Sequence, residues 1–310
     1  MLVQDPPAPI AGNLWMLGAA AYPVYLYRGQ RCGTLFEGGI GAVGAVLRDQ
    51  LPALGIGGDF VRQVVVTHAH PDHVMAVPLF RGLFPGLSVL ASAAAAKTLA
   101  AEKAVSFFCK MDDALTTSLV GRGSITEAHR PQPLPQPRIA VDRLLREGDT
   151  VEVDAGTSFQ VLETPGHSDC SLSFFEPSQG LLVISDATGY YMPEHDAWWP
   201  NYFAGFAAYV RSIERLAGLG AHVVCLSHNA AIVGAAEVAD YFRRALQATH
   251  EYHGRIVAQV QAGGTVGELA ATLGAEIHRQ APVFPVDFFQ KNCRLLIQQS
   301  LAHAGIRAGE

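Results

Sequence analysis

The sequence predicts an α/β fold that ends in a helical extension, and three observations carry this prediction. Short apolar runs separated by Gly, Pro and Asp alternate with helical patterns through residues 1–234. Four of the apolar runs lead directly into a histidine or an aspartate. From residue 235 onward the pattern is almost entirely helical. We therefore expect an α/β body over 1–234 and a helical extension over 235–310 that packs on the same body.

The first half of the body begins with consecutive strands. The predicted elements are strands at 13–17, 22–29 and 33–39, a helix at 41–54, a buried strand at 60–68, and helices at 74–84 and 91–120. The Ala-rich helical stretch belongs to an insertion over about 91–127. It is followed by the Pro-rich run RPQPLPQP at 130–137, which we interpret as a stiff connector.

The second half returns to strands before the helices take over. The predicted elements are strands at 147–153, 158–164, 170–176 and 180–186, a helix at 204–218, a strand at 222–228, and helices at 235–261, 265–280 and 287–305. Thr265 and Glu268 form a capping-box pattern at the start of the second of these C-terminal helices.

Composition excludes several classes of protein. Apolar residues make up 49% of the chain and charged residues only 16%, so a substantial core is expected. The net charge of −6, without a Lys/Arg cluster, argues against a nucleic-acid binder. No run approaches the roughly 18 apolar residues of a membrane span, and the N-terminus lacks signal-peptide features. Together with five scattered cysteines, this predicts a reduced, cytoplasmic protein.

The segment THAHPDH at 67–73 concentrates metal-competent side chains. His68 and His70 are two residues apart and can point to the same side of an extended segment. Pro71 stiffens the turn, so that Asp72 and His73 can face a second position. Imidazole and carboxylate ligands together suit Zn, Fe or Mn.

Other candidate ligands follow the ends of apolar strands. These are His167, Asp186 and His228, which join His68 in this respect, whereas His222 falls at the wrong end of its strand. Active sites of α/β proteins are commonly built at such carboxyl ends. The sequence therefore predicts two metal ions. One would be held by His68, His70 and His167, the other by Asp72, His73 and His228, and Asp186 would bridge them.

These motifs resemble those of the metallo-β-lactamase superfamily, in the expected order over residues 33–228. THAHPDH resembles the family's first motif, TPGHSDCS at 164–171 its second histidine motif, and SDA at 185–187 its bridging-aspartate motif. The resemblance implies a four-layer αβ/βα sandwich with the metals at the sheet edges. One departure is Ser227-His228-Asn229, where the family usually has Gly-His-Gly.

A dinuclear centre predicts hydrolysis. Two metals lower the pKa of a bound water and polarise a substrate oxygen, so a metal-bridging hydroxide would attack an ester, thioester, lactone or phosphodiester. Asp72 is the candidate catalytic residue that orients this nucleophile and shuttles a proton.

The loop at 187–206 is the candidate for substrate binding, because it is long and rich in aromatic residues. It either covers the core or forms an apolar wall beside the metals. The candidate substrate-binding residues are Tyr190, Tyr191, Trp198, Trp199 and His195. The helices at 91–127 would close the other side around a small-molecule acyl substrate.

A closer resemblance concerns one branch of the superfamily. Glu37-Gly38-Gly39 stands where most members have Asp-x-Gly. This feature, the helical insertion and the C-terminal helices resemble the bacterial quinolone-signal response thioesterase branch. The resemblance implies cleavage of an aryl-acetyl coenzyme A thioester, iron as a frequent metal, and a partnership with a transcriptional regulator.

Two other functions remain open. A mononuclear-iron sulfur oxidoreductase of the same fold would use His68, His167 and Asp186, but Asp72 and His73 would then be spare. A regulatory ligand-binding protein with incidental hydrolase activity would engage its partner through the C-terminal helices. Those helices could also form a homodimer contact.

Overall fold

The computed structural model describes residues 1–307. The strands within this range are β1 (Leu2–Val3), β2 (Ala8–Ala11), β3 (Leu14–Ala19), β4 (Tyr22–Arg28), β5 (Gly33–Phe36), β6 (Val61–Val65), β7 (Ser88–Ser92), β8 (Arg143–Leu145), β9 (Thr150–Asp154), β10 (Thr157–Glu163), β11 (Leu172–Glu176), β12 (Leu181–Ser185), β13 (Tyr190–Met192), β14 (Ala197–Trp199), β15 (Val223–Leu226) and β16 (Ala231–Val233). The α-helices are α1 (Ala42–Gln50), α2 (Val77–Leu83), α3 (Ala93–Leu99), α4 (Glu102–Gly121), α5 (Phe206–Ala217), α6 (Ala235–Gln261), α7 (Val266–Gln280) and α8 (Val286–Ala304).

The chain forms two compact units. The first contains residues 1–163, 170–185 and 221–238, and the second contains 164–169, 186–220 and 239–307. The division at 234/235 that the sequence suggested stays a prediction.

The first unit contains two seven-stranded sheets. One has the order β2-β3-β4-β5-β6-β7-β8, and the other has the order β1-β16-β15-β12-β11-β10-β9. Strands β5, β6 and β7 are parallel, as are β12 and β15. Parallel neighbours end at the same sheet edge. The residues that follow β5 and β6 therefore start from one edge, and so do those that follow β12 and β15.

A continuous apolar core joins side chains of both sheets in this unit. It contains Phe36 of β5, Phe159 of β10 and Phe174 of β11, all fully buried. The Phe36 ring centroid lies 4.7 Å from that of Phe159 and 5.5 Å from that of Phe174. Burying each such ring contributes about 2–3 kcal/mol to folding. The polar segments that follow the strands are thus anchored to a rigid base.

The second unit is built from helices around buried aromatic residues. Tyr202 is fully buried, and its hydroxyl forms a 2.8 Å hydrogen bond with Ser300 Oγ of α8. Helices α7 and α8 approach closely at Gly274, where a Cβ atom would lie 2.6 Å from the backbone nitrogen of Gln290. The capping box of Thr265 and Glu268 is present at the start of α7, as the sequence predicted.

Two predicted helices are divided in the structure. The helix expected at 41–54 ends at Gln50 and continues as a 3₁₀ turn at 51–54, because Pro52 has no N–H to donate to the preceding turn. The stretch at 91–120 begins in β7 and then splits into α3 and α4. The carbonyl of Leu99 there accepts a hydrogen bond from Ile139 N–H, 3.0 Å away, instead of continuing the helical ladder.

Short strands are the elements that the sequence patterns missed. These are β1, β2, β7, β8, β16 and the hairpin of β13 and β14. Most are too short for a recognisable alternation of apolar and polar residues. Within residues 1–307, no helix combines the length and the apolar character that crossing a bilayer requires.

Candidate metal centre

The chain after β6 carries the first group of candidate ligands. Thr67 and His68 follow the strand and are fully buried. His70 remains extended, with φ −109° and ψ 156°, and Pro71 then begins a 3₁₀ turn that contains Asp72 and His73. Because Pro71 fixes its own φ, the turn starts at this position, as the sequence predicted.

Five metal-competent residues come together in the first unit, and we call them the strand-end cluster. His68 Nε2 lies 3.0 Å from His70 Nδ1, and the His68 and His73 rings are 4.1 Å apart. Asp72 Oδ2 lies 3.4 Å from His73 Nε2 and 3.6 Å from His228 Nε2. One ligand atom from each of Asp72, His73 and His228 fits within 4.8 Å of the other two. The structure therefore joins His228 to the motif at 67–73.

Hydrogen bonds orient the histidines of this cluster. His73 Nδ1 lies 2.9 Å from Glu37 Oε2, and His228 Nδ1 lies 2.8 Å from the carbonyl oxygen of Ala21. Asn229 adopts a left-handed conformation with φ 65°, which asparagine tolerates better than most residues. The Ser-His-Asn sequence thus holds His228 in place without the usual glycines.

The second unit brings together the two other candidate ligands, His167 and Asp186. His167 Nε2 lies 3.2 Å from Asp186 Oδ2, and its Nδ1 lies 3.0 Å from the carbonyl oxygen of Asn201. Both residues are buried. The turn before His167 needs Gly166, which has φ 128°, because a Cβ atom there would lie 2.3 Å from Tyr209 Cα.

The donor set fits divalent metal ions. A backbone carbonyl only accepts hydrogen bonds, so the Nδ1 atoms of His167 and His228 carry the protons in the neutral rings. Their Nε2 lone pairs then face carboxylate oxygens of Asp186 and Asp72. A cation between them, either a metal ion or a proton, satisfies both acceptors. Imidazole and carboxylate around a shared cation are typical of Zn, Fe and Mn sites.

The residues predicted to bind substrate lie on or beside the hairpin of β13 and β14. The Tyr191 and Trp198 rings are 4.5 Å apart, and the guanidinium of Arg244 lies 5.2 Å from the Trp198 ring. Burial, and then a hydrogen bond to Asp196, raise the pKa of Tyr191 to about 12. The Trp199 ring packs 5.4 Å from Phe289. Tyr190 is half-buried and His195 is exposed. Substrate binding by these residues stays a prediction.

A cavity of about 480 Å³ lies in the first unit. Its walls include Met75, Leu79, residues of α4 and the Pro-rich connector. Burial raises the pKa of Asp112, another lining residue, to about 7, although the Gly41 N–H that donates to its carboxylate lowers it. Helix α4 also packs against the turn at 71–73, so the helical insertion borders the strand-end cluster.

The sequence reasoning did not assign a role to three residues that support the cluster. Glu37, Thr67 and Ser185 are buried and hydrogen-bonded to its histidines or to one another. The rule that identified the candidate ligands also applies to Glu37, since it is a polar residue that directly follows the buried strand β5. No local pattern identifies the two hydroxyl groups.

Comparisons with known proteins agree with this fold. Residues 18–228 match the metallo-beta-lactamase superfamily. A metallo-beta-lactamase family protein from Thermus thermophilus is 23% identical, with a TM-score of 0.64, over 94% of this chain and 94% of that chain. A metallo-beta-lactamase from Cronobacter sakazakii, carrying mutations in its HARLDQ motif, is 21% identical, with a TM-score of 0.59, over 81% of this chain and 98% of that chain.

A third solved structure, the subclass B3 metallo-beta-lactamase of Bradyrhizobium japonicum, is 16% identical, with a TM-score of 0.58. It matches over 84% of this chain and 97% of that chain. At these identities the solved structures demonstrate a shared fold and nothing about substrate. They confirm the predicted α/β fold with its C-terminal helices, and the match over 18–228 identifies this chain as a member of the metallo-beta-lactamase superfamily.

Proposed function

We propose that this protein is a dinuclear metal-dependent hydrolase that cleaves a thioester, ester or lactone bond of a small apolar acyl compound. The superfamily generally comprises metal-dependent hydrolases, which supports the reaction class. The observation that carries the proposal is the strand-end cluster, in which four histidines and Asp72 converge.

The proposed ligand sets follow the two groups of side chains. As the sequence predicted, one metal ion would be held by His68, His70 and His167 and the other by Asp72, His73 and His228, and Asp186 would bridge them. Chain connectivity supports the inclusion of Asp186, since it directly follows Ser185, whose Oγ lies 3.2 Å from His68 Nδ1.

Asp72 is the proposed catalytic residue. Bound divalent ions would supply water activation and polarise the substrate carbonyl. The Asp72 side chain is 23% exposed, whereas those of its neighbours His73 and His228 are 2% and 5% exposed. It is therefore the carboxylate of the cluster that water and substrate reach. Asp72 would orient the attacking water and accept its proton.

The cavity beside α4 is the proposed site for the apolar part of the substrate. Its volume of about 480 Å³ suits a small molecule and excludes a folded macromolecule. Met75 and Leu79 give it an apolar wall, and the prolines of the connector give it a rigid one. This supports an acyl compound over a large polar substrate.

Within the superfamily, the proposal favours a thioesterase of the quinolone-signal response type. Its support is the Glu37-Gly38-Gly39 sequence, the insertion formed by α3 and α4, and the C-terminal helices α6 to α8. An aryl- or acyl-coenzyme A thioester is accordingly the first substrate class to assay.

The first test is metal identity and stoichiometry, measured by elemental analysis on protein purified without chelators or added metal. We expect about two zinc, iron or manganese ions per chain, and turnover of at least one compound in a panel of thioesters, esters and lactones. A single iron per chain, together with oxidation of a sulfur compound, would replace the hydrolase by the sulfur oxidoreductase.

The second test is Asp72→Asn. We expect turnover to fall by about 10²–10⁴-fold, since the proton acceptor is lost while the ligands of the other metal remain. Asp287→Asn is the matched control, because Asp287 is an exposed aspartate of α8 that does not line the cavity. Near-normal turnover by Asp72→Asn on the best substrate would show that Asp72 does not have this role.

A further inference from the structure

A buried hydrogen-bond network connects His68 to His73 within the first unit. Thr67 Oγ1 lies 3.0 Å from Glu37 Oε2 and 2.8 Å from Ser185 Oγ. Ser185 Oγ in turn lies 3.2 Å from His68 Nδ1. At the other end, Glu37 Oε2 lies 2.9 Å from His73 Nδ1. The network therefore joins two imidazoles through one carboxylate and two hydroxyl groups.

The chemistry of these groups determines the direction of every hydrogen bond. A carboxylate only accepts, so both Thr67 and the His73 Nδ1–H donate to Glu37. Thr67 has one hydroxyl proton, and it then accepts from Ser185. Ser185 donates its only hydroxyl proton to Thr67, so it accepts from His68 Nδ1–H. His68 Nδ1–H thus faces two acceptors, Ser185 Oγ and also Thr67 Oγ1 at 3.3 Å, and the order runs from His68 to Ser185 to Thr67 to Glu37, with His73 donating from the opposite side. In this arrangement His68 Nε2 accepts from His70 Nδ1–H, 3.0 Å away, where no metal is bound.

We propose that Glu37 is a positioning residue that sets the tautomer of two metal-binding histidines, His73 directly and His68 through Ser185 and Thr67. With protons on both Nδ1 atoms, both rings present the Nε2 lone pair to metal. The proposal rests on the ligand assignment of the proposed function, but the network and its direction follow from the hydrogen bonds alone.

The backbone explains how a glutamate fits at this position. Glu37 adopts φ 75°, and its N–H donates to the carbonyl of Val65 over 3.0 Å. Gly38 N–H donates to the carbonyl of His73 over 2.8 Å, and a Cβ atom at Gly38 would lie 2.5 Å from that oxygen. The backbone of Glu37 is thereby fixed beside the ring that its carboxylate orients. A left-handed glutamate is strained, which favours a functional reason for its presence.

The other two anchored histidines provide an internal reference. His228 and His167 donate Nδ1–H to the backbone carbonyls of Ala21 and Asn201. A backbone carbonyl cannot be changed by substitution and cannot become a donor. A change at Glu37 will therefore reach His68 and His73 and leave the tautomers of His228 and His167 unaltered.

Glu37→Gln is the decisive variant, because an amide contains a donor as well as an acceptor. Its oxygen would still accept from His73, so its NH₂ group would face Thr67 and donate to it. Thr67 would then donate to Ser185, and Ser185 to His68 Nδ1. Each hydrogen bond between Glu37 and His68 would reverse its direction. His68 would then carry its proton on Nε2, the atom that must bind metal.

The readout is long-range ¹H–¹⁵N correlation NMR of the histidine rings, on metal-free protein near pH 8 where ordinary imidazoles are neutral. In the parent protein we expect His68 and His73 as Nδ1–H tautomers. In Glu37→Gln we expect His68 to become the Nε2–H tautomer, with His228 unchanged. Zn²⁺ titration should show about 10–100-fold weaker binding of one ion, the loss typical of a disturbed outer shell.

Thr67→Val and Thr67→Ser form a matched pair that tests the relay without touching Glu37. Thr67→Val removes the hydroxyl and should alter the tautomer of His68 while His73 keeps its own. Thr67→Ser keeps the hydroxyl and should behave as the parent. An unchanged His68 tautomer in both Glu37→Gln and Thr67→Val would overturn the proposal.

These measurements need no substrate. If the protein catalyses another reaction, the tautomers of His68 and His73 measured by NMR still test the proposed role of Glu37. Conversely, an unaltered His68 would leave the proposed hydrolase standing.

Discussion

The strand-end cluster of the first unit and the helix core of the second unit are both largely buried, but they are buried for different reasons. In and around the cluster, buried polar side chains hydrogen-bond to one another, as those of His73, Glu37 and Thr67 do. In the helix core, buried positions are filled by rings such as Phe289 and Tyr202. The ion pair of Arg255 and Glu276 in that unit is at its surface. Hydrogen bonding and charge therefore dictate most residue identities in the cluster, whereas volume dictates most of them in the helix core, with the hydrogen bond of Tyr202 and Ser300 as an exception.

This difference predicts that the two regions respond differently to substitution. Changes in the cluster should remove metal and activity at little cost in stability, because few apolar contacts are lost. Changes in the helix core should cost stability and leave the activity of the folded fraction intact. A buried acid outside the cluster, Asp112, should add an effect on stability that depends on pH.

His228→Ala should have the largest effect. It removes the Nε2 atom that faces Asp72 Oδ2, and with it a ligand of one proposed metal. Losing the several kcal/mol of transition-state stabilisation that a metal supplies corresponds to about a thousandfold in kcat/KM. Elemental analysis should find about one metal per chain. Asn229→Gly is the control, since glycine accepts the left-handed conformation at that position and should keep metal and activity.

Phe289→Ala should have the largest effect on stability. Phe289 is 1% exposed and packs against Trp199 and His278. Removing such a ring leaves a cavity and costs about 3–5 kcal/mol in the free energy of unfolding, measured by urea denaturation. Phe107→Ala, at a ring that is 57% exposed, should change stability little. If the folded Phe289→Ala protein bound less metal than the parent, the helix core would not be separate from metal binding.

Asp112→Asn should have the smallest effect, and one that depends on pH. Burial raises the pKa of Asp112 to about 7, so the folded state retains a proton that the unfolded state has released. Stability therefore falls as pH rises from about 4 to about 7. The variant does not titrate, and it keeps an oxygen for the Gly41 N–H.

We expect the stability of Asp112→Asn relative to the parent to increase by about 2 kcal/mol between about pH 5.5 and pH 8. Urea denaturation at both values measures this change. Asp113→Asn, at the exposed neighbour, should show no such dependence. If the stability of Asp112→Asn and of Asp113→Asn changed with pH to the same extent, the carboxyl group of Asp112 would not be protonated in the folded parent at pH 5.5.

Much of the candidate centre could be predicted from the sequence, because its ligands follow local rules. His68, His70, Asp72 and His73 lie within one short segment, and Pro71 marks the turn between them. The structure places His228 in the same cluster and pairs His167 with Asp186. Apolar strands that end in polar residues can be recognised in the sequence. A buried strand needs a run of apolar residues, and polar residues become possible where the strand leaves the sheet.

The partners that orient these ligands could not be predicted in the same way. Glu37 is 36 residues from His73, Thr67 is 118 residues from Ser185, and the carbonyl of Ala21 is 207 residues from His228. Hydrogen bonds of this kind require several segments to arrive within about 3 Å. Local periodicity contains no information about such convergence.

By itself, the sequence determined the α/β class, the order of the main strands and helices, and the set of metal-competent residues. These depend on the spacing of apolar side chains and on residue type, which neighbouring positions already express. The tertiary structure alone decided which protein groups the ring nitrogens of His73, His167 and His228 contact, where the Ala-rich insertion breaks, and which acid is buried so that its pKa rises. Those outcomes depend on contacts between residues far apart in the chain, which exist only once the sheets and helices have packed.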